Sequence, residues 1–133
     1  MIRLVPVALV RIHWLTSAQG GRERLPPGPS YASTAHFAEE SPDSAFSVVL
    51  RFDPARVDQT FSHWEVELTL LAPEKLPGVA ARLKPGVRLT VTEGPRPVAH
   101  GEVYGVRMVE SDQLPVPFSP ERTNFRPGQK TAS

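Results

Sequence analysis

Residues 87–106, VRLTVTEGPRPVAHGEVYGV, decide the fold class. Val87, Leu89 and Val91 alternate with Arg88, Thr90 and Thr92, so one face of this segment is apolar and the other polar. Glu93-Gly94-Pro95-Arg96-Pro97 interrupts the alternation, and a second run follows from Val98 through Val103, Tyr104 and Val106. Successive strand side chains point to opposite faces, so a period of two on both sides of a Gly-Pro break predicts a β-hairpin.

The same period recurs outward from the hairpin. Residues 64–71 (WEVELTLL) place Trp64, Val66, Leu68 and Leu70 on an inner face, with Glu65, Glu67 and Thr69 outside. Residues 45–52 turn Phe46, Val48, Leu50 and Phe52 inward, and residues 7–15 do the same with Ala8, Val10, Ile12 and Trp14. Residues 31–38 alternate too, but carry small and polar side chains, and are predicted to form a strand that faces water or a sheet edge. A connector over 73–85 has room for one helical turn near 79–83. About five to seven short strands of this kind predict a small antiparallel barrel or sandwich.

Composition agrees with that class and narrows function. Of 133 residues, 15 are proline, which interrupts helices and central strands and so favours short strands and rigid loops. A net charge of +1 supplies no bulk field for indiscriminate nucleic-acid binding. The absence of cysteine removes disulfides, thiolate metal sites and cysteine nucleophiles, and fits a cytoplasmic setting. The apolar start is read as a first core strand rather than a leader, because Arg11 and His13 interrupt it. No run approaches a membrane span. The expected organisation is a β-barrel domain over residues 1–110 and an extended, proline-rich tail over 111–133, where Phe118 and Phe125 are among the few large apolar side chains.

Several segments carry a family resemblance. They are Gly20-Gly21-Arg22 followed by prolines, the strand led by Tyr31 with Phe37, the Val66–Leu70 alternation, and above all Glu93-Gly94-Pro95-Arg96-Pro97-Val98 leading to Gly101 and Val103. In this order, over residues 7–106, the chain resembles the third, C-terminal β-barrel domain of elongation factor Tu. The resemblance implies a six-stranded antiparallel Greek-key barrel. In that family the barrel follows a GTPase domain and a second barrel, contacts the T-stem backbone of aminoacyl-tRNA and binds the nucleotide-exchange factor. No GxxxxGK[ST] phosphate loop occurs here, so GTP binding is not expected. The family's T-stem corner matches Glu93 and Gly94. Its Arg-Pro-Gln element is replaced by Ala32-Ser33-Thr34, with Thr34 where the tRNA-touching glutamine would stand.

The candidate binding residues are therefore Arg22, Thr34, Glu93, Gly94 and Arg96. Arg22, Arg24, Arg88 and Arg96 would form a basic patch if the first loop lies beside the last hairpin. Turn chemistry alone also accounts for Glu93 to Arg96, since Gly94 supplies positive φ and Pro95 fixes its own. The four histidines (13, 36, 63 and 100) lack metal-ligand spacing, and no GxSxG elbow is present, so neither a metal, a cofactor nor a catalytic residue is expected. The leading expectation is a non-enzymatic bacterial module that recognises a protein partner, in an immunity or regulatory role. A tRNA-backbone binder is the alternative, and a small-ligand enzyme ranks third.

Overall fold

The computed structural model describes residues 4–110, so the predicted tail over 111–133 lies outside the described residues. Six strands form one closed barrel: β1 Leu4–Trp14, β2 Ser30–Phe37, β3 Phe46–Arg51, β4 Ser62–Leu70, β5 Arg88–Glu93 and β6 Arg96–Glu110. Around the barrel they run β1-β4-β3-β2-β5-β6, and every neighbouring pair is antiparallel, with β6 returning to β1. The all-β antiparallel fold read from the sequence is the one observed. Closure removes free edges, so β2 is no edge strand: it pairs with β3 on one side and with β5 on the other.

Alternation builds the interior. Val10, Ile12, Leu50, Val66, Leu68 and Val91 are among the fully buried side chains that fill it, while Arg11, Glu65 and Glu67 next to them on β1 and β4 are at least partly exposed. A filled interior is the usual state of a barrel this small. The connector helix α1, Pro77–Arg82, starts two residues earlier than expected because proline at its first turn gives up no needed hydrogen bond. Arg82 fastens it to the barrel, its guanidinium 3.7 Å from the centre of the Phe37 ring and bonded to Glu39 and Glu40 at 2.9 and 2.8 Å. Among the described residues no helix is long and apolar enough to cross a membrane.

One expected core residue is not in the core. Trp64 is 54% exposed, although Val66, Leu68 and Leu70 after it point inward as read. The reason is a bulge. Val10 pairs with Val66 and Ile12 with His63, so two residues of β4, Trp64 and Glu65, stand opposite the single Arg11. The extra residue shifts the phase, turning both Trp64 and Glu65 outward and placing His63 inside.

His63 takes the interior position by pairing with Trp14, whose indole Nε1 donates to His63 Nδ1 at 2.9 Å. Phe52 packs against the same imidazole with ring centres 4.7 Å apart. Burial disfavours the imidazolium and lowers the His63 pKa below its ordinary value near 6.5; backbone groups of Pro54 and Asp53 pull the other way without winning. The unfolded chain therefore takes up this proton first as pH falls. The His63 contribution to stability is complete above about pH 6.5 and declines below it. A series of urea midpoints from pH 7.5 to 5 should fall, and His63→Gln, which keeps an acceptor for Trp14, should flatten that fall. An equally steep decline in the variant would assign the effect to other groups.

Candidate functional site

The fold brings the five candidate residues to one end of the barrel, where β2 begins, β5 ends and β6 starts. Gly94 has φ 61 at the first position of a two-residue loop between Glu93 and Arg96, which are cross-strand partners. Arg96 Nη2 donates to Glu93 Oε1 at 2.9 Å. The other carboxylate oxygen receives both Arg22 Nη1, from a loop 71 residues away, and the Tyr31 hydroxyl. Arg22 also lies over the Tyr31 ring, 5.5 Å from its centre. Thr34 joins the corner only indirectly: its hydroxyl meets that of Thr92 at 2.7 Å, one residue before Glu93.

Burial is the largest single influence on the Glu93 carboxyl and pushes its pKa up, but the donors Tyr31, Arg22 and Arg96 together hold it below the ordinary carboxylate range. The part of the fold that Glu93 secures is therefore intact above about pH 4.5 and lost as pH falls through its depressed value. Tyr31 moves the opposite way. Burial first, then the bond to the Glu93 carboxylate, raise it to about 12, against an opposing pull from Ser33. One of the chain's two tyrosines should accordingly ionise near pH 12 in an ultraviolet titration, and Glu93→Gln should bring it down towards about 10. No change in the titration between the two proteins would contradict the bond.

Both carboxylate oxygens at this corner are thus occupied from within the chain. The first loop lies beside the last hairpin and brings Arg22 and Arg96 together on Glu93, with the Arg24 carbonyl bonded to Arg22, but Arg88 does not join them. Arg88 begins β5 while Glu93 ends it, a separation of about 17 Å at about 3.4 Å per residue. Glu93 neutralises part of the charge of Arg22 and Arg96.

A second place was not predicted. It lies on the outer face where β4, β1 and β6 run side by side. Opposite the bulge at Trp64-Glu65 there is another on β6: Leu9 pairs with Gly105 and Val10 with Val103, leaving Tyr104 as the extra residue. The two bulges flank Arg11 and turn an aromatic ring outward on each side of β1, Trp64 at 54% exposure and Tyr104 at 49%. Arg11 lies over the Trp64 ring, 5.1 Å from its centre, and reaches Glu102 at 3.7 Å. With Glu65 these residues line a shallow hollow of about 570 Å³.

The tryptophan is held. Its Nε1 donates to Asp58 Oδ2 at 2.7 Å, and Asp58 Oδ1 receives the Thr60 hydroxyl and the backbone N–H groups of Thr60 and Ser62. The Thr60 hydroxyl first, then the Trp64 indole, draw the Asp58 pKa down to about 2. At the end of this turn Phe61 takes φ 66, a region unfavourable for a bulky residue, and its carbonyl accepts the Trp14 backbone N–H at 3.0 Å. Sequence reading missed the site because Trp64 continues the alternation of Val66 and Leu68, and a bulge leaves no mark in such a pattern. Among the described residues no three His, Asp or Glu side chains gather as a metal ion would need. No protein-family model matches the chain, and no curated protein is similar to it in sequence.

Proposed function

We propose that this protein is a non-enzymatic binding module that recognises a protein partner through the outer face of β4, β1 and β6. The observation that carries this reading is the pair of bulges that turn Trp64 and Tyr104 out around Arg11. Tryptophan, tyrosine and arginine are the residues that most often supply the energy of protein interfaces. Bulges are common where a side chain is re-aimed for use. The indole is already fixed by Asp58, so docking against it orders little that was free. Positive and negative side chains alternate here, Arg11 beside Glu102 and Arg56 beside Glu65 at 2.9 Å, which suits a protein surface better than a phosphate backbone.

The resemblance of the sequence segments to the third domain of elongation factor Tu belongs to the same proposal. A six-stranded antiparallel barrel is compatible with a relative of that domain that acts in a bacterial cytoplasm as a regulatory or immunity module. The tRNA-backbone alternative depends on the Glu93-Gly94 corner, whose carboxylate is already bound on both oxygens. The two readings separate in one experiment. Immobilised protein should retain a discrete partner from native lysate at physiological salt, while tRNA mobility at low salt stays unshifted. A salt-sensitive tRNA shift with no retained protein would reverse the order of the two.

A further inference from the structure

Next to the aromatic face, two transverse rows of side chains cross the outside of β5, β6, β1 and β4. In one row Thr90 pairs with His100, His100 with His13, and His13 with Ser62. In the other Arg88 pairs with Glu102, and Glu102 with Arg11. The rows line a hollow of about 650 Å³, within the size range of small-molecule sites. No spacing in the sequence announces this group, because four strands contribute to it.

Its charge is unbalanced. Two arginines face one carboxylate, and Glu102 leans to Arg11 at 3.7 Å. Arg88 makes no ion pair with any of the described residues. Of the acids near the hollow, Asp58 is turned to Thr60, Ser62 and Trp64, and Glu39 and Glu40, which follow the lining residue Ala38, are paired with Arg82. Protonation of either imidazole adds to the positive excess.

The hydroxyls orient one ring. Thr60 commits its hydrogen to Asp58 Oδ1 at 2.6 Å, so the Ser62 hydroxyl sits between Thr60 Oγ1 and His13 Nδ1, 3.1 Å from each. Nδ1 of His13 is thereby held by the protein, and Nε2 is the nitrogen left for a ligand. An unpaired arginine, two histidines on adjacent strands and an orienting hydroxyl are the donors a tetrahedral dianion needs, since charge-assisted hydrogen bonds are the strong ones.

We propose that this hollow binds the phosphate group of a small phosphorylated molecule. Arg88 supplies the counter-charge, and His13 and His100 donate hydrogen bonds. The site adjoins the aromatic face and shares Arg11 and Glu102 with it, but Arg88, His13 and His100 belong to this hollow and not to the aromatic one.

Sulfate is a suitable first probe, because its charge stays fixed between pH 6 and pH 8, the range in which imidazole side chains in general change charge. Sulfate titrated into the full chain should shift the ring signals of His13 and His100 in nuclear magnetic resonance spectra. It should bind at least about tenfold more tightly at pH 6 than at pH 8, the factor that corresponds to one gained charge-assisted contact. Arg88→Gln should weaken binding at both pH values. His13→Gln with His100→Gln should remove the pH dependence, with retention of the native spectrum confirming the fold of each variant. Glycerol phosphate should displace sulfate and glycerol should not. Absent shifts, shifts that persist unchanged in the Arg88→Gln protein, or equal competition by glycerol would each overturn the proposal.

Discussion

Replacing Trp14 by alanine is expected to remove about 3–5 kcal/mol of stability, the usual cost of deleting a buried tryptophan. Trp14 is 1% exposed and stands at the end of β1, where its ring meets Tyr31, Phe52 and His63 edge-on at 5.9 to 6.2 Å. The substitution leaves a cavity among these rings and strips His63 Nδ1 of its donor, and a buried acceptor without a partner adds its own desolvation cost. Domains of this size hold about 5–15 kcal/mol in total, so the variant loses about a fifth of that or more. Trp14→Phe separates the two contributions, because it keeps most of the packing and removes the N–H. Denaturant midpoints should rank wild type above Trp14→Phe and Trp14→Ala lowest. Near-equal midpoints for all three would mean that the ring cluster does not anchor this end of the barrel.

The second large effect is expected at Gly21. A β-carbon built there falls 2.3 Å from the carbonyl oxygen of Leu15 and 2.7 Å from its carbonyl carbon, both backbone atoms that have no room to yield. Gly21→Ala must therefore displace the loop, which is closed by the bond from Gly21 N–H to the Thr16 carbonyl at 2.8 Å. The displaced loop carries Arg22 with it, away from Glu93 and Tyr31. We expect a loss of about 1–3 kcal/mol, as for other changes that force backbone to shift. Glu93 should also return towards the ordinary carboxylate range. A thermal melt gives the first quantity and a carboxylate titration followed by nuclear magnetic resonance the second. Gly20→Ala makes a useful contrast, for its cost comes from a φ of 89 rather than from collision. A Gly21→Ala protein as stable as wild type, with Glu93 unchanged, would show that the loop has slack.

Both predictions concern segments that the sequence reading had picked out for weaker reasons. Alternation made the strands legible because burial on one face is a local, period-two constraint, and Val10, Val66, Leu68 and Val91 all obey it. Gly21 could be quoted as part of a resemblance, but the collision that requires it involves Leu15 through a loop closure that no pattern displays. Glu93, Arg22 and Arg96 are all legible as candidates, but that both arginines bond to Glu93, Arg22 reaching it across 71 residues of chain, is not. Strand register decided the rest. A bulge inserts one residue without altering composition or period, so Trp64 read as core and stands outside. His13 and His100, 87 positions apart in the chain, become cross-strand partners only once β6 closes the barrel on β1. Local periodicity specifies elements, whereas closure and bulges specify which side chains share a surface.

The face around Arg11 is therefore the part of the molecule on which the functional reading stands. Trp64 and Tyr104 are both about half exposed, so replacing them by alanine should spare the core and leave the denaturant midpoint close to that of wild type. The decisive measurement is the affinity of the captured partner for the Trp64→Ala, Tyr104→Ala double variant, compared with the wild-type chain and with Glu93→Gln. An interface centred on these rings predicts a loss of at least about 30-fold in the double variant, the equivalent of about 2 kcal/mol at a binding hot spot, and little change in Glu93→Gln. Unchanged affinity in the double variant, with a large loss in Glu93→Gln, would contradict the account and move the binding surface to the Glu93-Gly94 corner.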